Sequence, residues 1–177
     1  INFINKSNGS FYRILIAPVS RISIVLGQIL ESVLLSFLEI AILCITGLFF
    51  SVRVASGVLG VLLIVLLIFL TAFFMSGLCY SISLMLPNEV IYETIMNAIV
   101  LPVFFLSSAL FPVDNLSGGL KAAINLNPFT HVINSIRSLI FGESIMLGDI
   151  LPVILLFVVL CFLSFAFAFR RLKKIIL

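Results

Sequence analysis

Charged residues are scarce in this chain of 177 residues. Only 10% of the residues are Asp, Glu, Lys or Arg, whereas soluble domains average about a quarter. Hydrophobic residues make up 63% of the chain, and the mean hydropathy is +1.38. A water-soluble fold cannot bury this much apolar surface, so lipid must cover a large part of it.

Motifs that carry chemistry are also missing. The sequence has no glycine-rich phosphate loop, no paired-histidine zinc motif and no serine nucleophile elbow. His131 has no companions for a metal site, so we expect a capping or surface role. Cys44, Cys79 and Cys161 occur singly in separate apolar stretches, which favours small packing residues over a disulfide or metal pair. We expect no catalytic residue, metal or cofactor bound by this chain itself.

Long apolar stretches are what the sequence does contain. Three of them carry no Asp, Glu, Lys, Arg or His, and a fourth, Ile22–Val52, carries only Glu31 and Glu39 of these residue types. From Val33 to Phe50 it holds twelve Leu, Ile, Val or Phe residues, which favour insertion by about 4–7 kcal/mol and so exceed the cost of about 2.5–3.5 kcal/mol for a central acid. Each stretch is long enough to cross a bilayer as a helix. The sequence predicts an all-α polytopic membrane protein with spans at about 23–50, 57–86, 94–112 and 150–170.

The basic residues predict the orientation of these spans. Seven of the ten flank the two ends of the chain, and the positive-inside rule assigns such ends to the cytoplasm. We therefore expect a multi-pass protein of the cell membrane with both termini cytoplasmic. The net charge of +3 indicates this topology and contact with anionic lipid, not nucleic acid. The seven residues are Lys6, Arg13, Arg21, Arg170, Arg171, Lys173 and Lys174.

The first span carries a polar stripe. At about 100° per residue, Gln28, Glu31, Ser32, Glu39 and Thr46 fall within about 60° of one direction. Lipid does not tolerate such a face, so it should point at another helix or a polar cavity. Gln28, Glu31 and Glu39 are candidates for an intramembrane transport path. The alternative is that the acids only fix helix packing.

Two further segments lie outside the spans. Residues 1–21 form a lead-in with a short helix that Pro18 ends, and on composition alone it is an interfacial helix lying on the membrane. In the segment at about 114–148, Asn127 suits a helix cap, Pro128 the first turn and Gly142 the end. We expect two short amphipathic helices there, re-entrant or lying on the outer leaflet.

Three stretches share their pattern, order and spacing with one protein family. These are Gly9–Arg21 followed by Gly27, Leu101–Pro112, and Leu126–His131 continuing to Arg137 and Gly142. With them the chain resembles the membrane subunit of ABC-2 type transporters, a family that includes daunorubicin-resistance, nodulation-factor and polysaccharide exporters. Family members have six spans, so the resemblance implies that the first two are absent from these 177 residues. Two positions depart from the pattern, because Asn8 replaces a common Glu and Ser10 replaces Thr.

The resemblance implies roles for these residues. The lead-in is then a coupling helix that contacts a separate ATPase subunit, which binds ATP and magnesium, through Ser10, Phe11, Arg13, Ile14, Leu15, Pro18 and Arg21. The outer re-entrant segment, which helps to close the exit side, includes Pro112, Asn127, Pro128, Arg137 and Gly142. A second permease copy, identical or homologous, completes the path for a drug, lipid or glycan-like substrate.

Two other functions stay open at this stage. One is a fragment of an ion-coupled secondary transporter that moves protons through Glu31 and Glu39. The other is a membrane scaffold without transport, in which the polar stripe serves helix assembly.

Overall fold

The computed structural model describes residues 20–50, 54–110, 118–142 and 147–176. Within these ranges the chain forms six α-helices and no strand, which confirms the predicted all-α fold. In chain order they are α1 (Arg21–Phe49), α2 (Gly57–Met85), α3 (Glu89–Phe105), α4 (Gly119–Leu126), α5 (Pro128–Phe141) and α6 (Leu147–Ile176).

Three of the helices are long and apolar enough to cross a membrane. They are α1 over Ile22–Gly47, α2 over its whole length and α6 over Gly148–Leu172. Helix α3 has 17 residues, which gives it a length of about 25 Å against a hydrocarbon core of about 30 Å. Helices α1, α2 and α6 make this a multi-pass membrane protein. Because α3 is shorter than the hydrocarbon core, the fourth span at 94–112 stays a prediction.

The helices alternate in direction, so the bundle has two ends. The Asn88 end contains the start of α1, the turn between α2 and α3, and the end of α6. The Asn127 end contains the end of α3, both short helices and the start of α6. One apolar core joins α2, α5 and α6 toward the Asn127 end, and a second joins α1, α2 and α6 toward the Asn88 end.

Helix α2 packs closely against α6. A Cβ added at Gly77 would lie 2.7 Å from the Ser164 Oγ, so any larger residue would require Ser164 or one of the two helices to shift. The Cys161 thiol donates to the Leu70 carbonyl oxygen at 3.2 Å. Cys161 is therefore a buried packing residue, as predicted, whereas Cys44 lies exposed on α1, contrary to that prediction.

Aromatic rings fix α5 on this pair. The rings of Phe74, Phe129 and Phe157 come from α2, α5 and α6, and their centroids lie 5.9 to 6.2 Å apart. The Phe157 ring meets the other two edge-to-face, an arrangement that aromatic pairs prefer. The three helices thus share one aromatic core.

Both ends of α5 follow the predicted capping chemistry. The Asn127 Oδ1 accepts from the Phe129 N–H at 3.0 Å, Pro128 takes the first turn, and Gly142 ends the helix with a φ of 69°. The end of α5 also contacts the start of α2, because the Ala55 N–H donates to the Ile140 carbonyl at 3.0 Å. The Ser56 hydroxyl donates to the neighbouring Leu139 carbonyl.

Candidate functional site

A polar crevice opens between α1, α2 and α3 at the Asn88 end. It has a volume of about 340 Å³, and it is the place where charged side chains from different helices converge. In a bundle this apolar, a group of polar side chains around one cavity is a candidate site by default. Its lining comprises Gln28, Glu31, Ser32 and Leu35 from α1, Ser76, Cys79, Tyr80 and Ser83 from α2, and Glu89, Tyr92 and Glu93 from α3.

Helix α1 supplies a preorganised polar wall. The Gln28 Nε2 donates to the Glu31 Oε2 at 2.6 Å, one helical turn further along. The Ser32 hydroxyl donates back to the Gln28 carbonyl at 3.2 Å, which is a local bond that hydroxyls make within helices. The Glu31 carboxylate is therefore held toward the crevice and keeps one oxygen for another partner.

Helix α3 supplies the opposite wall, and local chemistry explains where it begins. The Asn88 Oδ1 accepts from the Ile91 N–H at 3.0 Å and so caps the helix. Glu89 lies in the first turn, where the helix dipole favours a negative charge. Tyr92 and Cys79 share a side-chain hydrogen bond that joins this wall to α2.

The charges that line the crevice are of one sign. Glu31, Glu89 and Glu93 are its ionisable carboxylates, and no Lys, Arg or His is among its described lining residues. Serine hydroxyls and the rings of Tyr80 and Tyr92 complete the surface. The site can therefore hold water, protons or a cationic or hydrogen-bond-donating group.

The predicted polar stripe divides along α1. Gln28, Glu31 and Ser32 line the crevice. Glu39 and Thr46 lie exposed on α1 farther from the Asn88 end, and neither is part of the crevice lining. The structure thus brings two of the three candidate path residues together and leaves Glu39 on a different part of the helix.

Most of the proposed ATPase-contacting residues lie outside the described residues. This holds for Ser10, Phe11, Arg13, Ile14, Leu15 and Pro18, and in the second predicted segment for Pro112. Arg21 is the first residue of α1. Their assigned roles stay predictions.

At the Asn127 end, one amide side chain joins α3 to α5. Besides capping α5, Asn127 donates from its Nδ2 to the carbonyl oxygens of Val103 at 2.7 Å and Leu106 at 2.8 Å. Carbonyls at the end of a helix have no partner within the helix, so these bonds satisfy groups that apolar surroundings would leave unpaired. Asn127 therefore terminates α3 and starts α5 at once.

A second pair of contacts supports the same junction. The Arg137 guanidinium donates to the Ser108 carbonyl at 3.1 Å, and the Ser108 hydroxyl donates to the Thr130 carbonyl at 3.3 Å. His131, near the start of α5, is exposed, and its Nε2 lies 2.9 Å from the Asn125 carbonyl oxygen. It therefore occupies the surface position predicted for it.

The sequence alone did not identify the α2 and α3 walls of the crevice. Two features of the sequence could have indicated an acidic wall on α3. Glu89 and Glu93 are four residues apart and so share a helix face, and no Lys or Arg lies in the turn before them. Nothing local to Asn127 indicates its bonds to α3, because Val103 lies 24 residues earlier.

Comparison with known proteins gives the family. The ABC-2 type transporter family matches this chain over residues 1–141. The transport permease ycf38 of Cyanophora paradoxa is 30% identical over 138 residues, which cover 76% of this chain and 47% of that protein. The chain thus spans about half the length of this relative. No solved structure matches the chain. This chain, a multi-pass membrane protein with a polar crevice, belongs to the ABC-2 type transporter family of transport permeases.

Proposed function

We propose that this chain is the permease part of an ATP-driven exporter, and that its polar crevice receives the substrate from the cytoplasm. The supporting observation is the crevice itself, which brings three carboxylates together within an apolar bundle. The basic residues at both chain ends favour a cytoplasmic position for the Asn88 end. A polar opening on that side suits the first step of export.

The proposal includes a separate ATPase subunit and a second permease copy. The 177 residues contain no phosphate loop, so the proposal assigns ATP binding to a separate subunit. Arg21, the last residue of the lead-in, is the first residue of α1 and precedes Gln28 by seven residues, about 10 Å along a helix. A displacement that a partner transmits to Arg21 would therefore reach the α1 wall of the crevice along α1.

Purification of the full-length protein from its own membrane tests the partner. Mass spectrometry should find an ATP-binding-cassette subunit in equal amount, and Leu15→Asp should remove it, because a charge on the apolar face of the lead-in disfavours docking. Ser20→Asp is the matched control. It adds the same charge five residues away, and its carboxylate can still accept from the Ser23 N–H as the Ser20 hydroxyl does.

Either of two results would count against the ATP-driven proposal. If Leu15→Asp retains the ATPase, the lead-in is not the contact. If no ATPase is recovered under conditions that preserve another ABC complex, flux driven by a pH gradient would favour the ion-coupled transporter. Absence of any solute flux would favour the scaffold.

The crevice has its own test. Glu31→Gln removes a negative charge while its amide oxygen can still accept from Gln28, so the fold should be preserved. We expect export of a cationic dye to fall about tenfold, which corresponds to about 1.4 kcal/mol, and export of a neutral dye to change little. Glu39→Gln is the control, because Glu39 lies outside the crevice. If Glu39→Gln reduces export of the cationic dye while Glu31→Gln leaves it normal, the transport path lies along the exposed face of α1 and not in the crevice.

A further inference from the structure

A second, larger cavity separates α3 from α2 nearer the Asn127 end. Its volume is about 630 Å³, and it is bounded by α2, α3, α4 and α5. Sixteen of its eighteen lining residues are apolar or proline, among them Leu78, Met96 and Ile133. It differs from the crevice in both chemistry and position, since the two share no lining residue.

The polar groups in this lining are already bonded. The Ser107 hydroxyl donates to the Phe104 carbonyl at 2.6 Å. Both ends of the Asn127 amide are used, by Val103 and Leu106 on one side and by Phe129 on the other. A buried water needs two to four polar partners, so the cavity does not favour water or a polar solute.

An empty cavity of this size is unfavourable, because its walls lose their dispersion contacts. The surroundings supply a suitable filler. The cavity lies among helices that include a membrane span, and its rim includes Leu126, 82% exposed, and Phe104, 49% exposed. The apolar lining and the exposed rim together offer a surface that hydrocarbon from the bilayer can enter.

The junctions between α2, α3 and α5 limit which apolar group can enter the cavity. Helices α2 and α3 are joined at one end by the short turn through Asn88, and at the other end Asn127 fixes α3 to α5. Helix α5 in turn contacts α2 through Phe129 and Phe74. These junctions limit how far α2 and α3 can separate, which disfavours insertion of a membrane-crossing helix about 10 Å wide between them. A thin flexible chain can enter from the side.

We propose that this cavity binds one acyl chain of a membrane lipid, placed between α2 and α3. A methylene group takes up about as much space as a water molecule, about 30 Å³ in the liquid, so the cavity is of the right order of size for one fatty acyl chain. The proposal concerns a bound lipid and does not depend on what the permease exports.

The absence of tryptophan from the sequence makes a direct test practicable. Met96→Trp places a single fluorescent reporter in the cavity wall, and Leu101→Trp places one on the same helix outside the lining, at a position 51% exposed. The purified full chain in detergent is titrated with phosphatidylcholine that carries bromine on its acyl chains, which quenches tryptophan on contact. Phe129→Trp, an aromatic replacement in the same wall, serves as a second reporter if Met96→Trp does not fold.

We expect the cavity reporter to lose more than half of its emission at about one brominated lipid per chain and then to level off. The control reporter should be quenched only in proportion to the lipid fraction of the micelle. Adding Leu78→Phe to fill the cavity should raise the lipid needed for half quenching by at least about threefold, whereas Leu66→Phe, on the exposed part of α2, should not.

Three results would overturn the proposal. The first is quenching of Met96→Trp that follows the lipid fraction just as Leu101→Trp does. The second is a cavity reporter that brominated lipid does not reach at all. The third is quenching that disappears as the protein concentration rises, because a second copy of the chain would then occupy the opening.

Discussion

Helices α6 and α3 lie against the same helix, α2, but in opposite ways. Helix α6 makes close side-chain contact with α2 from Val153 to Leu172, including the Gly77–Ser164 approach. Helix α3 is separated from α2 by the crevice at one end and by the apolar cavity farther along. Its polar attachments are concentrated near its two ends, at Tyr92 and at Asn127.

The difference indicates where the bundle is fixed and where it is free to move. Close packing gains many small dispersion contacts and tolerates little displacement. Hydrogen bonds at two ends hold a helix in place but leave its middle unsupported. We therefore expect the α2–α6 contact to set stability and the α2–α3 gap to accommodate motion or a ligand.

Asn127→Ala should have the largest effect, because it breaks the junction of α3 and α5. The carbonyls of Val103 and Leu106 and the Phe129 N–H all lose their partner. Each unpaired buried group costs about 1–3 kcal/mol, so we expect a loss of about 3 kcal/mol or more in unfolding free energy. Thermal unfolding followed by circular dichroism measures it. Asn125→Ala, an exposed amide on α4, should change stability by less than about 0.5 kcal/mol; equal losses in both variants would contradict the junction.

Gly77→Val tests the other side of α2 and should rank second. The new Cβ meets the Ser164 Oγ at 2.7 Å, and overpacking of this kind costs about 1–3 kcal/mol. Ser164→Ala in the same chain should recover part of the loss, since it removes the nearest atom. Gly27→Ala, with open space around its Cβ, should be neutral or slightly stabilising in the same unfolding assay. A stable Gly77→Val protein would mean that α6 does not pack this closely.

Thr130→Val should have the smallest effect and the opposite sign. Thr130 is 1% exposed, and its hydroxyl has no hydrogen-bond partner among the described residues. Valine keeps the shape and removes the unpaired polar atom, so stability should rise by up to about 1 kcal/mol. Ser81→Ala, which removes a buried hydroxyl bonded to the Gly77 carbonyl at 2.7 Å, should instead lower stability slightly. A clear loss in Thr130→Val would reveal a partner for this hydroxyl.

The sequence predicted what local chemistry decides. Apolar length predicted the long helices, and the Asn127–Pro128 pair with Gly142 predicted the start and end of α5, because capping involves neighbours within one turn. Helical period also predicted that Gln28 and Glu31 share a face, and the structure gives that face a crevice.

What the sequence did not predict depends on helices meeting. The pairing of Tyr92 with Cys79 and the reach of Asn127 to Val103 follow from tertiary placement, for which one sequence carries no signal. Helical period places Glu39 on the same side of α1 as Glu31, but it does not show how far along α1 the crevice extends. Glu39 therefore lies outside the crevice that Glu31 lines.

The two contacts of α5 have a mechanical consequence. One end is bonded to α3 through Asn127, and the other is bonded to the start of α2 through Leu139 and Ile140. A helix of 14 residues is about 21 Å long, so α5 keeps a fixed distance between its two hydrogen-bonded junctions. Sliding of α3 away from the start of α2 would break one of these junctions, whereas a change in the angle between α3 and α5 need not. A displacement of α3 at the Asn88 end would then change the angle between α3 and α5 at the Asn127 end.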